Sequence, residues 1–166
     1  MLFPQCDTPM KICVFSDSHG SAREMLRAAR VEDPDLVFFL GDGENDLTWL
    51  RRVFPKLPVL SVRGNCDLRS KEPYDLECAV GGFRFFATHG HRYDVKHDPY
   101  LEELAAAGAE HRANVILFGH THEPYRENRN GVLFLNPGSV GESSPPSYAV
   151  ITVEDGGIKA SIRTLA

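Results

Sequence analysis

The stretch Val14-Phe15-Ser16-Asp17-Ser18-His19-Gly20 decides how the chain is organised. A short apolar strand, Ile12 to Phe15, runs into two metal-capable side chains and then a glycine. In an extended backbone residues i and i+2 point the same way, so Asp17 and His19 are expected to reach one ion from one strand end. Alone, an Asp-x-His tripeptide is explained as well by a strand-end turn with satisfied polar groups. Three more blocks change that balance: Leu40-Gly41-Asp42, Gly64-Asn65-Cys66-Asp67 and Gly119-His120-Thr121-His122.

Outward from this stretch, apolar runs and turn signals alternate. Residues 11–16 read as the first strand. Ser21-Ala22-Arg23-Glu24 has the capping-box form, and Ala22, Met25, Leu26 and Ala29 make one helical face. Asp33-Pro34-Asp35 ends that helix. Residues 36–40 form a continuous apolar run, as expected of a strand covered on both faces. A second helix is predicted from Asn45 or Asp46, burying Leu47, Leu50, Val53 and Phe54 and stopping before Pro55. Residues 59–62 give a third strand, ending at Arg63-Gly64-Asn65. Each strand of this β-α-β-α-β order carries a candidate ligand at its C-terminal end, the edge where sites form in open α/β sheets.

The second half is richer in hairpins. Gly81-Gly82 joins strands at 76–80 and 83–88, and Asn130-Gly131 marks another two-residue turn before a strand at 133–135. The strand at 83–88 delivers Thr88-His89-Gly90-His91. Asp98-Pro99 reads as N-cap and first-turn proline of a helix running to about Glu110. A buried strand at 115–118 precedes the His120-Thr121-His122 block. Asn136-Pro137-Gly138-Ser139 reads as a structural turn, and strands at 148–153 and 158–162 pair across Asp155-Gly156-Gly157. The expectation is one α/β domain over residues 10–166 with two packed sheets and helices outside, after a poorly ordered lead-in at residues 1–9.

Bulk properties exclude several classes. With 166 residues, 42% hydrophobic and 25% charged, the chain is sized and composed as one globular domain. A formal net charge of −5 argues against a nucleic-acid or anionic-membrane surface. No apolar run approaches the ~20 residues that span a bilayer, and the first residues show no basic or apolar leader regions, so a cytoplasmic location is expected. The four cysteines, Cys6, Cys13, Cys66 and Cys78, have no metal-binding spacing, and no disulfide is expected. Cys13 and Cys78 read as buried small hydrophobes. No G-x-G-x-x-G follows the first strand, which removes a dinucleotide-binding oxidoreductase.

The strand ends together present Asp17, His19, Asp42, Asn65, His89, His120 and His122. Carboxylate, amide and imidazole ligation without a thiolate suits Mn, Fe, Co, Ni or Zn better than calcium or structural zinc. Seven donors exceed one tetrahedral site and suffice for two ions sharing a carboxylate. Two ions so placed can activate a bridging water and clamp the oxygens of an in-line phosphoryl displacement.

In the order D-x-H, G-D, G-N-x-D, H-G and G-H-x-H, these blocks resemble the calcineurin-like metallophosphoesterases, and more closely the small single-domain YfcE-type phosphodiesterases. The resemblance runs from Lys11 to about Ser139 and implies an αββα sandwich of two mixed sheets flanked by helices. It also implies that Asp17, His19 and His122 hold one metal, that Asn65, His89 and His120 hold the other, and that Asp42 bridges them. Manganese is the metal the resemblance favours, and hydrolysis of a small phosphodiester by a metal-bridging hydroxide is the implied reaction. Asp42, Asn65 and His89 are then the core of the chemistry.

One position departs from the wider family. Cys66 stands where many members have a histidine that protonates the leaving group, and a thiol of pKa ~8.5 is a poor substitute near neutrality. That shifts the expectation from monoesters to diesters and leaves Cys66 a secondary catalytic candidate. His91 and Arg63 are secondary candidates for substrate contact, and loops at 67–73 and 93–98 are expected to wall the pocket. His97 and His111 read as surface residues. Asp67 is either an orienting partner of the site or an ordinary turn carboxylate. A protein-binding scaffold on the same fold would be favoured by a missing ligand, and a phosphomonoesterase by a histidine at position 66. A homo-oligomer, dimer or tetramer, is left open.

Overall fold

Strand β2 (Met10–Phe15) sets the layers. Alternate side chains of a strand point to opposite faces. Ile12 and Val14 go one way, Cys13 and Phe15 the other, and all four are fully buried. A strand buried on both faces needs a layer on each side, and the rest of the chain supplies them.

The computed structural model describes residues 2–3 and 8–165. After β1 (Leu2–Phe3) and β2 come α1 (Ala22–Glu32), β3 (Leu36–Phe39), α2 (Glu44–Val53) and β4 (Val59–Ser61). The second half contains β5 (Asp75–Val80), β6 (Phe83–Thr88), α3 (Glu102–Glu110), β7 (Val115–Leu117), β8 (Tyr125–Arg129) and β9 (Val132–Asn136). The antiparallel pair β10 (Ser147–Glu154) and β11 (Gly157–Thr164) returns to the first sheet. One sheet has the order β11-β10-β2-β3-β4, the other β1-β5-β6-β7-β9-β8, and each mixes parallel and antiparallel pairs.

Three apolar clusters fill the spaces between layers. Ile12, Val14 and Phe38 meet Phe85, Leu117 and Leu135 between the sheets, with Phe38 stacked on Phe85 at 5.5 Å. Phe15, Val37 and Phe39 pack outward against Met25, Ala29, Leu47 and Leu50 of α1 and α2. Phe86, Ile116 and Phe134 pack against Leu101 and Leu104 at α3. The result is an αββα sandwich, as the sequence predicts. Among the described residues no helix is long and apolar enough to cross a membrane.

Both glycine-marked hairpins are found. Gly81 and Gly82 have φ of 56° and 84°, and Asn130 and Gly131 have 51° and 82°, the sign that a type I′ turn demands. Several expectations are corrected. Leu2–Phe3 is not a loose lead-in but pairs in parallel with Ala79 and Val80 of β5; Cys6 and the rest of residues 4–7 lie outside the described residues. Ser21 makes no side-chain cap, since its ψ of 61° falls outside the extended capping geometry, and Glu24 pairs with Arg23 and Arg27 instead. Helix α2 begins at Glu44, and Val53 in its last turn is exposed rather than buried. Helix α3 begins three residues later than Pro99, because Leu101 takes a left-handed φ of 55°. Asp98 still serves its start, accepting hydrogen bonds from the Tyr100 and Glu102 N–H groups at 3.0 and 2.5 Å.

One buried carboxylate ties the first sheet to α1. Glu32 accepts the Tyr148 hydroxyl at 2.7 Å and Arg163 Nη1 at 2.5 Å, with Lys11 Nζ at 3.4 Å. Burial works to raise its pKa, but these bonds outweigh it and hold it below the ordinary 4.5. A depressed carboxylate stabilises the fold above its unfolded pKa and loses that contribution as pH falls through the folded one. Glu32→Gln is therefore expected to cost about 1–2 kcal/mol at pH 7, and the difference from the parent should shrink at pH 3. Urea unfolding at both pH values checks this.

Candidate metal centre

The loops after β2 and β3 stay in register beyond the strands. Leu40 N–H donates to Phe15 O, Asp17 N–H to Gly41 O and His19 N–H to Asp42 O, at 2.9, 2.9 and 3.0 Å. The backbone there is not extended. Asp17, His19, Asp42, His120 and His122 all have positive φ, between 44° and 70°. The Asp17–His19 and His120–His122 pairs therefore converge through left-handed turns, not through the strand alternation expected from sequence. Such conformations cost about 1 kcal/mol each for a side chain bearing Cβ, and they concentrate at functional sites.

Two glycines let the loops close. At Gly41 (φ 99°) a Cβ would lie 2.5 Å from Gly64 N, and at Gly64 a Cβ would lie 2.0 Å from Asp42 Oδ1. The loops after β3 and β4 thus touch backbone to backbone, which brings Asp42 beside Asn65.

Each buried carboxylate divides its two oxygens. Asp17 Oδ2 accepts the His120 N–H at 3.1 Å and the Ser16 hydroxyl at 2.5 Å. Asp17 Oδ1 faces Nε2 of His122, His19 and His89 at 3.1, 3.5 and 3.9 Å. Asp42 Oδ1 accepts the Cys66 N–H at 2.8 Å, while Oδ2 faces Nε2 of His89 and His19 at 3.3 and 3.7 Å. Two groups of donor atoms lie within 4.8 Å of one another: Asp17, His19 and His122, and Asp42, His89 and His120. A third group joins His19, Asp42 and Cys66. Asn65 Oδ1 adds to the second, 3.0 Å from His89 Nε2.

The donor set fits cations. His89 Nδ1 is 2.6 Å from Leu40 O, which makes Nδ1 the protonated nitrogen of the neutral ring and aims the Nε2 lone pair at Asn65 Oδ1 and Asp42 Oδ2. Acceptors so placed favour a positive charge between them, a proton on His89 Nε2 or a cation. His19 Nε2 is likewise buried with no hydrogen-bond partner among the described residues. Burial opposes charge on both partners of the His89–Asp42 pair, yet their mutual attraction prevails. His89 is driven above the ordinary histidine pKa and Asp42 well below the carboxylate range. Burial, His89 and Lys96 push His120 down to about 4, so its ring is a neutral donor at physiological pH.

The secondary candidates separate. His91 lies outside these groups, its ring centre 5.4 Å from that of His89, and its buried Nδ1 has no partner. Arg63 is turned into its own loop, donating to Ser70 O and Asp67 O at 3.2 Å each. Cys66 is exposed, and its thiol is pushed up by partial burial and by Asp42, Asp67 and Asp17. His97 is exposed, and His111 lies at the surface stacked on Phe86.

Several supporting residues escape a motif search. Asp67 accepts the N–H groups of Asp42, Gly43, Glu44 and Gly64 at 2.7 to 3.1 Å, so it clamps the two loops. Asp46 accepts the Ser18 hydroxyl and the Gly20 N–H. Ser139 donates to Asp17 O at 2.7 Å, and Asn136 Nδ2 holds Gly119 O and Thr121 Oγ1. Glu142 approaches His122 Nδ1 at 3.4 Å. The turn at 136–139 is structural, as expected, but it braces both histidine and aspartate loops. Of these, Asp67 and the Asn136–Ser139 turn carried a sequence signal, while Asp46 and Glu142 carried none for this role.

The model of the calcineurin-like phosphoesterase superfamily domain matches residues 10–156. The chain belongs to this superfamily. It is 33% identical over 152 residues to the probable metallophosphoesterase YsnB of Bacillus subtilis, covering 88% of this chain and 86% of that protein. Phosphodiesterase YfcE of Escherichia coli K12 is 30% identical over 105 residues, 56% of this chain and 52% of YfcE. The crystal structure of a conserved uncharacterized protein from Streptococcus pneumoniae TIGR4 superposes with a TM-score of 0.77 at 30% identity, covering 95% and 90% of the two chains. The superfamily's two mixed sheets and flanking helices are those described above.

The contact between Gly64 and Asp42 gives a sharp test. Gly64→Ala places a methyl against the Asp42 carboxylate and backbone, neither of which is a flexible side-chain end. It is expected to lower Mn²⁺ affinity by at least about tenfold with the far-ultraviolet circular dichroism of the parent. Metal titration followed calorimetrically measures it.

Proposed function

We propose that this protein is a dinuclear-metal phosphodiesterase. Asp17, His19 and His122 would hold one divalent transition-metal ion, Asn65, His89 and His120 the other, and Asp42 would be shared. The observation that carries the reading is the convergence of donor atoms from five strand ends, with lone pairs of His89, Asn65 and Asp42 facing one another. When bound, the ions supply Lewis acidity toward phosphoryl oxygens and lower the pKa of a water to that of a usable nucleophile. Manganese is favoured, with iron, cobalt, nickel and zinc also suited to this donor set.

The chain's own groups do the remaining work. Asp42 holds its free oxygen between the two donor groups because the Cys66 N–H fixes the other. Asn65 is exposed, and its amide nitrogen makes only a 3.5 Å contact with Cys66 Sγ, which leaves it to donate to a phosphoryl oxygen. His91 borders the second group, its ring centre 5.4 Å from that of His89 and 6.1 Å from that of His120, and would line the substrate pocket there. At position 66 the protein offers a thiol whose pKa is raised, a weaker acid than imidazolium. Leaving-group protonation is then poorly supported, which favours small phosphodiesters and activated esters over ordinary monoesters. All seven donor positions are filled, which argues against the metal-poor scaffold alternative.

The deciding experiment is hydrolysis of a chromogenic phosphodiester and its monoester by chelated protein, before and after added Mn²⁺. Metal-restored turnover favouring the diester supports the reading. Preference for the monoester would replace it with a phosphomonoesterase, and no turnover by folded protein with any divalent ion would replace it with a scaffold. Asp42→Asn is expected to cut activity at least about 100-fold, beyond the loss from an outer-shell partner, whereas His97→Ala stays within about twofold. Cys66→His should raise the monoester-to-diester activity ratio. An unchanged ratio would remove position 66 from proton donation.

A further inference from the structure

The wall beside His91 ends in a guanidinium that the reading above leaves idle. Ring centres step outward from His89 to His91 at 5.4 Å and from His91 to Tyr74 at 5.8 Å. Tyr74 is 40% exposed and has two arginines against its ring, Arg63 at 4.8 Å and Arg92 at 4.7 Å. Their N–H groups are used differently. Arg63 donates from Nη1 and Nη2 to Ser70 O and Asp67 O, and its Nε is buried. Arg92 makes no hydrogen bond among the described residues. Its nearest carboxylate oxygen, Asp75 Oδ2, is 3.9 Å away and already accepts the Tyr93 hydroxyl at 2.6 Å.

Arg92 is thus a half-exposed cation held in place by an aromatic ring, with its donor fork open. A guanidinium presents parallel N–H groups that match a phosphate. Two cations lie against the Tyr74 ring and one carboxylate, Asp75, stands 3.9 Å from Arg92, so this wall offers an incoming group net positive charge more than a face for stacking. The contrast with the rest of the site is sharp, since the candidate metal donors include two buried carboxylates in a chain of net charge −5.

We propose that Arg92, positioned by Tyr74, binds a second, non-scissile phosphate, so that the preferred substrates are nucleotide-type phosphodiesters carrying one further phosphate. The inference deepens the phosphodiesterase reading and rests on it for the reaction, but the binding it describes can be measured without turnover.

The test is calorimetric binding of thymidine 3′,5′-bisphosphate and thymidine 5′-monophosphate to Mn²⁺-loaded protein. The bisphosphate is expected to bind at least about tenfold tighter, the effect of one hydrogen-bonded charge contact. In Arg92→Ala the ratio of the two affinities should collapse to below about threefold. Arg126→Ala removes an equal charge on β8, away from this wall, and should keep the parent ratio. Equal affinities in the parent, or a preference that survives Arg92→Ala, would overturn the proposal. Turnover of the p-nitrophenyl esters of thymidine 5′-phosphate, with and without the 3′-phosphate, separates the two readings. An Arg92-dependent binding preference without hydrolysis of either ester supports the subsite and sinks the phosphodiesterase.

Discussion

Two carboxylates, Asp17 and Asp42, are buried to 0% and 3% exposure within one cluster of imidazoles. Burying like charges together is among the most costly arrangements a protein can adopt without compensation. Each carboxylate is anchored by a backbone N–H on one oxygen and turned toward imidazole nitrogens with the other. Those inward-turned oxygens, with the lone pairs of His89 and Asn65, define a volume where only positive charge is stable. In a metal-free state the proton on His89 partly fills that role, which is why its pKa rises while that of Asp42 falls. A divalent cation does so more completely and with the right number of donors.

Holding that arrangement sets the demands on the scaffold. The sandwich supplies rigid, doubly buried strands whose C-terminal ends lie side by side, and the loops beyond them carry the strain. Five candidate ligands sit in left-handed backbone. That cost is offset by a web of hydrogen bonds that leave little freedom: Asp67 to four N–H groups, Asp46 to Ser18 and Gly20, and Ser139 to Asp17. The close approach of Gly41 to Gly64 belongs to the same economy, since a side chain at either position would separate Asp42 from Asn65.

Much of this was legible in the sequence, for identifiable reasons. The two-sided burial of residues 36–40 showed as an unbroken apolar run, and the hairpins showed as glycine or asparagine pairs that alone accept positive φ readily. The seven candidate donors could be named because they follow the ends of apolar runs. What could not be read was conformation past the strand ends: Asp-x-His looked extended, and it is a left-handed turn. Likewise Leu101, an ordinary helix former, takes a left-handed φ that delays α3, a tertiary choice overriding local propensity. Glu32, Asp46, Glu142 and Arg92 were silent because a charged residue in a polar stretch looks the same whether it faces water or a partner 17 to 131 positions away.

The chemistry at the edge of the cluster follows from the same electrostatics that build its centre. Cys66 lies with its backbone N–H on Asp42 and its thiol near three carboxylates, so the field that favours cations at the centre disfavours a thiolate there. On the proposed phosphodiesterase reading, a site whose candidate acid is a reluctant thiol gains little by waiting for strong leaving-group protonation. On that reading rate would come from the nucleophile and from charge stabilisation at phosphorus, which suits esters whose leaving groups depart with modest help. Specificity must then come from contacts away from the scissile bond. Beyond Asp67, which clamps the Asp42 loop, the loops at 68–73 and 93–98 and the Tyr74 and His91 wall make no hydrogen bond to the Asp17 or Asp42 side chains among the described residues, so such contacts can be built there.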